Sequence, residues 1–500
     1  MHTQRKPDEL STFVTEDVPR SIFVDDSDGV PSVSPLPRHC RPVLLSVYRA
    51  LAFVAWSPAF FCSSRADDAQ LLNKGKWVPM GARTVSEVEG FTPSKEVGLS
   101  QYGGRMDRKT KATGFFRTEK VDGRWSLVDP EGYLFLSAGL CSVHMSQKDI
   151  KNTEFKNTNN WATATSQLLR SNGFNTLGCW SDSNAFQGGN RMPYTPRWNF
   201  MSTFAKKLGV TEPEFGHTGY QNQCMPIFHP DFEAFCDEHA KQLAKTKDDP
   251  WLLGHFSDNE LPFRPNLLDL FLALPKDSHG YKAAKAWWDN RTKGNEAKQK
   301  FTEADRDAFL EYVAHRYYSI VGAAIRKHDP NHLFIGSRVH GACIRPATFR
   351  GSSAVDVVSV NYYHRWTPEA DRLSVLAESA GRPFLISEWY AMAVPSVENG
   401  DRGAGFKVKS ARDRGLFYQN FTLGLLNHPD CVGWHWFKYS GDDEKKAIGL
   451  VDKAYRPHDG LLKMMGELNR QLYPLSDFFA GAKQVRKSEQ DGGGKPAKSR

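Results

Sequence analysis

The chain has 500 residues, enough for two average domains or for one barrel-sized domain with insertions. Aromatic residues make up 12% of the sequence, which is ample for a large core. Half of the net charge of +8 comes from the tail 483–500, where six basic residues accompany Glu489 and Asp491. The rest of the chain is therefore only mildly basic, and its charge does not indicate a nucleic-acid-binding function.

The N-terminus has the features of an export signal. Residues 1–37 are polar and proline-dotted, which predicts disorder. A basic flank, the apolar run "VLLSVYRALAFVAW" and small residues up to Ala66 then predict a secretory signal cleaved after Ala66. Arg49 interrupts the apolar run, which is too short to predict a membrane span. We therefore expect a secreted or periplasmic protein without a stable membrane anchor.

From residue 131 onward, short apolar runs alternate with longer helical patterns. Strands are predicted over eight runs, namely 133–143, 174–182, 191–200, 251–260, 332–340, 356–364, 383–391 and 431–440. The runs are continuously apolar, as in strands buried on both faces of a parallel sheet, although two prolines weaken the third. This pattern predicts an α/β fold, a (β/α)8 TIM barrel with long loops on its catalytic face. A doubly wound sheet is the alternative, but it more often has fewer strands and a glycine-rich turn.

Four segments follow from this interpretation. Residues 1–66 are a disordered leader plus secretory signal, and residues 67–112 form an N-terminal extension. Residues 113–480 form the (β/α)8 domain with an entry hairpin, and residues 481–500 form a disordered basic tail. The six cysteines beyond the signal show no metal-ligand spacing, so we expect buried thiols or at most a few bridges, and neither a metal nor a cofactor.

Polar and aromatic side chains recur where the predicted strands end. Because the carboxyl ends of barrel strands meet at one face, these side chains are expected to share a rim. A single polar strand end is commonly a cap or a turn, and Asp258 and Asn259 would cap a following helix well. So many on one rim instead predict a functional site, formed by Trp180, Asn259, Glu260, Arg338, His340, Asn361, Tyr363, Glu388 and Trp436.

Two of these residues form a candidate catalytic pair. Glu260 ends the fourth predicted strand and Glu388 ends the seventh, across the barrel mouth. Two carboxylates about 5 Å apart suit retaining glycoside hydrolysis. We expect Glu260 to be the acid/base, kept protonated by a partly dry site and by the charge of Glu388. Glu388 is expected to be the nucleophile, kept ionised by donors such as Tyr363 and Arg338.

The segments that carry these residues resemble a known family. The chain is similar to the agarase-like glycoside hydrolases of family 50, in clan A of the retaining glycosidases. The resemblance covers about residues 100–475 and rests on six segments in order, "YGGRMDRKTKATGFFRTEKVDGRWSLVDPEGYLFLSAGL", "GFNTLGCWSD", "GHFSDNELPF", "SVNYY", "ISEWYA" and "GWHWFKY". It implies the same roles for Glu260 and Glu388 that the residues themselves predict.

The resemblance also implies roles for neighbouring residues. Asn259 would bond the hydroxyl beside the anomeric carbon, and Tyr363 would orient Glu388. Trp436 and Trp180 would stack on sugar faces, with core packing as the alternative for each. The remaining substrate-binding candidates are weaker, and they are Arg338, His340, Asn361 and His364.

The sequence therefore predicts a secreted retaining β-glycosidase that acts on a galactan-type poly- or oligosaccharide. Two loops after the carboxylates, 261–300 and 392–410, are expected to wall the site into a pocket and so to favour attack at chain ends. A β-galactosidase or β-mannanase of the same clan is the alternative with the same chemistry. A non-catalytic sugar-binding barrel is the alternative from another class, although such a protein normally lacks one carboxylate.

Overall fold

Parallel strands at the centre of the molecule carry the candidate residues. The structure, a computed structural model, describes residues 68–214, 216–293, 300–397, 403–443 and 445–481. The predicted signal and nearly all of the basic tail lie outside these ranges.

Within the described residues, the strands are β1 Ala69–Asn73, β2 Lys76–Met80, β3 Arg105–Lys109, β4 Arg117–Val121, β5 Arg124–Val128, β6 Tyr133–Phe135, β7 Ser137–Leu140, β8 Thr176–Leu177, β9 Thr211–Pro213, β10 Thr218–Tyr220, β11 Gly254–Phe256, β12 Leu333–Gly336, β13 Val339–His340, β14 Val358–Asn361, β15 Phe384–Trp389, β16 Ala391–Ala393, β17 Phe406–Val408 and β18 Cys431–Trp436. The α-helices are α1 Gln147–Asn152, α2 Thr158–Ser171, α3 Phe200–Leu208, α4 Phe232–Ala240, α5 Leu267–Leu272, α6 His279–Thr292, α7 Glu303–His328, α8 Pro346–Arg350, α9 Ala370–Ala380, α10 Ala411–Leu426 and α11 Asp459–Asn469. Residues 472–481 are also helical.

The central strands form a six-stranded sheet and a two-stranded sheet. The order in the first is β13-β14-β15-β18-β7-β8, and the second pairs β11 with β12. Every pairing in both sheets is parallel. Helices connect most of these strands, and nearly all of the strand residues are buried, as the continuous apolar runs predicted. The fold is therefore mixed α/β with a parallel core.

Two of the predicted strands differ most from the structure, and a third, 332–340, divides into β12 and β13 of different sheets. The run 133–143 divides at Leu136, because β6 pairs antiparallel with β3 and β5 while β7 pairs with β18 and β8. The run 191–200 forms no extended strand and makes only single parallel bridges, from Tyr194 to Leu177 and Leu252 and from Arg197 to Phe256. Pro193 and Pro196 lack amide hydrogens, so a continuous ladder cannot form there.

The centre of the sheet accommodates a buried histidine. His435 on β18 is fully buried, and its Nε2 lies 3.0 Å from the Ser137 hydroxyl on β7. A Cβ atom on Gly139 would lie 2.3 Å from the His435 ring, so glycine is required to leave it space. Burial lowers the pKa of His435 to about 3. This histidine is therefore neutral and belongs to the core.

Residues 69–109 are joined to later parts of the chain by strand pairing. β1 pairs antiparallel with β2 and with β17, where Leu71 lies opposite Val408. β3 pairs with β6, in the same four-stranded sheet as the predicted entry hairpin of β4 and β5. The predicted N-terminal extension thus contributes β1 and β2 to one sheet and β3 to another, and both sheets also contain later segments.

The six cysteines in the described part of the chain are all buried and unpaired. The prediction of buried thiols is confirmed for them, whereas Cys40 and Cys62 lie outside the described residues. In the part of the chain that the structure describes, no helix is both long and apolar enough to span a bilayer.

Candidate active site

A cavity of about 960 Å³ lies where the parallel strands end. Several residues that the sequence singled out line it, namely Trp180, Asn259, Glu260, His340, Tyr363, His364 and Glu388. Their convergence follows from the parallel pairing, because strands that run in one direction bring their carboxyl ends to the same edge.

Glu260 follows β11 in an unusual backbone conformation. Its φ of 55° lies in the left-handed region, which is costly for a residue with a Cβ. The Glu260 amide donates to the Ser337 carbonyl at 3.2 Å, and the carboxylate Oε1 accepts from Asn361 Nδ2 at 2.8 Å. These contacts hold a partly exposed carboxylate at the cavity wall.

The neighbouring Asp258 has a structural role. Its buried carboxylate accepts from the amides of Met201 and Ser202 at 2.9 and 3.2 Å, and from the Tyr317 hydroxyl at 2.7 Å. Asp258 therefore binds the first turn of α3, which precedes it in the chain, and not that of a following helix. The interpretation that Asp258 and Asn259 cap the following helix is therefore wrong for Asp258, and capping does not account for Glu260.

Glu388 lies within β15, and its carboxylate accepts hydrogen bonds from two strong donors. Arg338 Nη2 donates to its Oε2 at 2.7 Å, and the Tyr363 hydroxyl donates to its Oε1 at 2.5 Å. The structure thus places both of the predicted donors on this carboxylate. A planar guanidinium and a phenol on separate oxygens fix the orientation of the carboxylate plane.

Asn361 lies between the two carboxylates. Its Nδ2 is 2.8 Å from Glu260 Oε1 and 3.5 Å from Glu388 Oε2, and its Oδ1 accepts from the Ser387 hydroxyl at 2.8 Å. The two carboxylate oxygens are therefore no farther apart than the sum of the first two distances, about 6 Å. This upper limit lies below the separation of about 6.5–9.5 Å in inverting enzymes and allows the separation of about 5–5.5 Å in retaining ones.

Arg338 connects the second carboxylate to the rest of the site. The side chain is fully buried, and its Nη1 donates to Asn259 Oδ1 at 3.0 Å. Its guanidinium carbon lies 4.2 Å from the centroid of the Trp180 ring, which is a cation–π contact. Trp180 also lies under Arg197 at 4.9 Å. Arg338 and Trp180 therefore support the floor of the cavity together.

The pKa directions of the two carboxylates reverse the sequence-based expectation. Burial raises the pKa of Glu388, and the charge of Glu260 adds to this against the effect of Arg338 and Tyr363. Burial would also raise the pKa of Glu260, but His217, His340, Asn361 and Arg338 lower it to about 2. The expectation that Glu260 is kept protonated in the unliganded site is wrong, because it omitted His217.

His217 was missed by the sequence analysis. It precedes β10 on the β9–β10 hairpin, and its Nδ1 lies 3.2 Å from Glu260 Oε2. This hairpin belongs to no predicted strand or helix, and only the isolated segment "EFGHTG" marks it. No spacing or periodicity connects that segment to Glu260, so the sequence offered no usable signal.

Trp436 does not face the cavity. The ring is fully buried and packs edge-on against Trp389 with centroids 4.8 Å apart. The expectation that Trp436 stacks on sugar is therefore wrong, and the alternative of core packing holds. Phe437 and Tyr390 line the cavity instead.

The two histidines among the weaker candidates differ in exposure. His340 is partly buried beside His217, with ring centroids 5.2 Å apart, whereas His364 is exposed at the rim. Burial lowers the pKa of each of them.

The prediction that the loop 261–300 forms a wall of the cavity is also wrong. No described residue of 261–300 lines the cavity. α5 and α6 instead pack against α7, where Asp269 pairs with Arg306 at 2.7 Å and Arg291 with Asp305 at 2.8 Å. The walls come from Gly403 and Ala404 in the second predicted loop, from residues within 199–206 and 216–218, and from residues within 437–443 and 446–448.

Comparisons with known proteins agree with these features. No family model matches the chain. It is 24% identical to beta-agarase B of Vibrio sp. (strain JT0107), across 82% of this chain and 53% of that protein. The chain thus spans about half the length of the curated relatives that it matches.

Solved structures extend the likeness to the fold. The crystal structure of BpGH50 superposes with a TM-score of 0.74 at 27% identity, covering 83% of this chain and 96% of that one. An exo-beta-agarase structure matches with a TM-score of 0.61 at 21% identity, over 76% of this chain and 69% of that one. These likenesses confirm the resemblance inferred from the six segments, since the chain is similar to beta-agarases in sequence and to the BpGH50 structure in fold.

Proposed function

We propose that the protein is a retaining β-glycosidase that hydrolyses a β-linked galactan of the agarose type. The observation that carries this proposal is the pair Glu260 and Glu388 bridged by Asn361 in a solvent-accessible cavity. Two carboxylates at this spacing are the chemical requirement of a double-displacement mechanism. The relation to beta-agarase B supports the choice of substrate class.

In this proposal Glu388 is the nucleophile. Its oxygens are oriented by Arg338 and Tyr363, and it attacks the anomeric carbon to form a glycosyl ester. Glu260 donates a proton to the departing oxygen and then removes one from the incoming water. Asn259, which Arg338 holds through Oδ1, contacts the sugar hydroxyl next to the anomeric carbon.

The pKa directions agree with these roles when the proton shared by His217, Glu260 and Glu388 is followed through the reaction. In the first arrangement the shared proton is on His217, which the raised pKa of His217 and the lowered pKa of Glu260 favour. The reactive arrangement also has one proton, on Glu260, with His217 neutral and Glu388 ionised. The two arrangements differ only in where the proton lies, so the second needs no change in pH.

We also propose that the strands close into an eight-unit β/α barrel within residues 113–480, as the sequence predicted. The bridges through Tyr194 support this, because they link β8 to the segment before β11. The Ser257 amide donates to the Gly336 carbonyl next to the β11–β12 pairing, and the Val357 amide lies 3.4 Å from the Phe334 carbonyl between β12 and β14. Secretion through the predicted signal is part of the same proposal.

Attack at chain ends is supported by walls on several sides of the cavity. These come from residues 403–404, from the segment that carries His217 and from residues within 437–443 and 446–448. We expect time-resolved product analysis on agarose to show steady accumulation of a single short product with slow loss of viscosity. An early ladder of mixed long oligosaccharides would contradict chain-end attack. Activity restricted to small β-galactosides or to β-mannan would instead support the alternatives from the same clan.

Replacing Arg338 with methionine is expected to change the pH dependence of hydrolysis. Arg338 lowers the pKa of Glu388, so its loss raises that pKa further. Because the nucleophile must be ionised, the acid limb of kcat/KM moves to higher pH. The measurement is a pH profile of kcat/KM.

Arg197→Met is the matched control for this change. Its guanidinium stacks on the same Trp180 ring and has no hydrogen bond to Glu388, so it tests the loss of the cation–π contact and of a charge that acts on Glu388 from a distance. We expect its acid limb to shift far less. An acid limb that stays in place in Arg338→Met would refute the role assigned to Arg338.

A further inference from the structure

We propose that His217 is a positioning residue that stores the proton which Glu260 delivers to the leaving group. The inference rests on the proposed glycosidase function and assigns a role to a residue outside the carboxylate pair. It starts from the geometry of the β9–β10 hairpin against Glu260.

The His217 ring lies between two carboxylates. Its Nδ1 is 3.2 Å from Glu260 Oε2, and its Nε2 is 3.5 Å from Glu214 Oε1. The side chain is only 11% exposed. An imidazole placed between two acids is favoured in its doubly protonated form, since each ring N–H faces a negative charge.

The contact with Glu260 is selective for one oxygen. Oε1 already accepts from Asn361 at 2.8 Å, whereas Oε2 has His217 beside it. Nδ1 of His217 is sealed from solvent and makes no well-aligned hydrogen bond among the described residues, and its ion-pair contact is with Glu260 Oε2 at 3.2 Å. Exchange of a proton from Nδ1 therefore leads to Glu260 Oε2.

The charges that face His217 favour the doubly protonated form of His217 over that of the adjacent His340. Burial lowers the pKa of His217, but Glu260 and Glu214 outweigh it and the charge of Arg264, so the pKa is raised. His340, with its ring centroid 5.2 Å away, has a lowered pKa through burial, partly offset by Glu260. These directions favour the additional proton on His217 and not on His340.

Proton transfer occurs when a sugar displaces water from the cavity. The His217 Nδ1–H bond breaks and a Glu260 Oε2–H bond forms, which turns an ion pair into a neutral pair. Neutral partners are favoured when solvent leaves, because separated charges lose hydration. His217 keeps its second proton on Nε2, facing Glu214. When Glu260 later removes a proton from water, it can return that proton to Nδ1, so the cycle balances.

The main test is His217→Asn, which keeps a polar group near the position of Nδ1 but cannot take up a proton. We expect the basic limb of kcat/KM to move to lower pH by about one unit, because Glu260 alone must then retain the proton. We also expect kcat to fall about 10- to 100-fold on natural glycosidic bonds and much less on an activated aryl glycoside. His315→Asn, at an exposed position on α7, is the control and should change neither.

A second measurement does not depend on hydrolysis. In protein with labelled histidines, the NMR titration of His217 should give a pKa above that of an ordinary histidine, and the value should fall in Glu260→Gln. This measurement decides the matter if His217→Asn does not fold. An unmoved basic limb, or a His217 titration unaffected by Glu260→Gln, would overturn the proposal. If the pKa of His217 fell in Glu260→Gln but the protein cleaved no β-glycoside, the proposed function would be wrong, while the sharing of a proton between His217 and Glu260 would be supported.

Discussion

Replacing Glu388 with glutamine is expected to lower kcat by on the order of 10⁴-fold or more, because the amide cannot form the glycosyl ester. Glu260→Gln is expected to lose about 10²- to 10⁴-fold on substrates with ordinary leaving groups. Neither change should unfold the protein, because both side chains lie at the cavity and their amides keep the same shape. Steady-state kinetics and thermal unfolding of both variants are the measurements. Near-native turnover in either variant would show that the assignment is wrong.

Azide separates the two roles in the corresponding alanine variants. In Glu388→Ala, azide attacks the anomeric carbon in place of the missing nucleophile, so the glycosyl azide has inverted configuration. In Glu260→Ala, azide attacks the glycosyl ester on Glu388, so the product retains configuration. Rescue is expected on an activated aryl glycoside and is read by NMR of the product. Exchanged stereochemical outcomes would mean that the two roles are exchanged.

Trp436→Ala is expected to reduce the free energy of unfolding by about 3–5 kcal/mol. The indole is fully buried against Trp389, so removing it leaves a cavity in the core. Denaturant unfolding measures the loss. Trp180→Ala is the comparison, because this ring is half-buried and lines the cavity. It should raise KM for oligosaccharides and reduce stability less, whereas equal losses of stability would contradict the distinction.

Much of the parallel core was predictable because its strands are buried on both faces. β14, β15 and β18 fall inside predicted runs. The third run was not resolvable in this way. Tyr194 and Arg197 each make isolated bridges, because the neighbouring prolines prevent a continuous ladder. A hydrophobic pattern predicts a strand only where several consecutive residues pair, so it could not identify these bridges.

The site was predictable where residues sit at strand ends and not where they arrive from loops. Glu260, Asn361 and Glu388 follow from the ends of parallel strands, which a barrel brings together. His217 comes from a hairpin whose position depends on tertiary packing alone. Its omission reversed the expected pKa direction of Glu260. Trp436 shows the converse limit, because a strand-end aromatic does not reveal which face of the strand it occupies.

The pairing of β1 with β17 has a consequence for any shortened form of the enzyme. β17 follows the nucleophile strand, and Lys409 donates its amide to the Gln70 carbonyl at 3.1 Å beside the Leu71–Val408 register. A protein trimmed to begin at residue 113 would therefore leave an open strand edge next to the substrate entrance. Exposed edges recruit other strands, so we expect such a trimmed enzyme to self-associate. A trimmed form intended to stay monomeric should begin before Ala69.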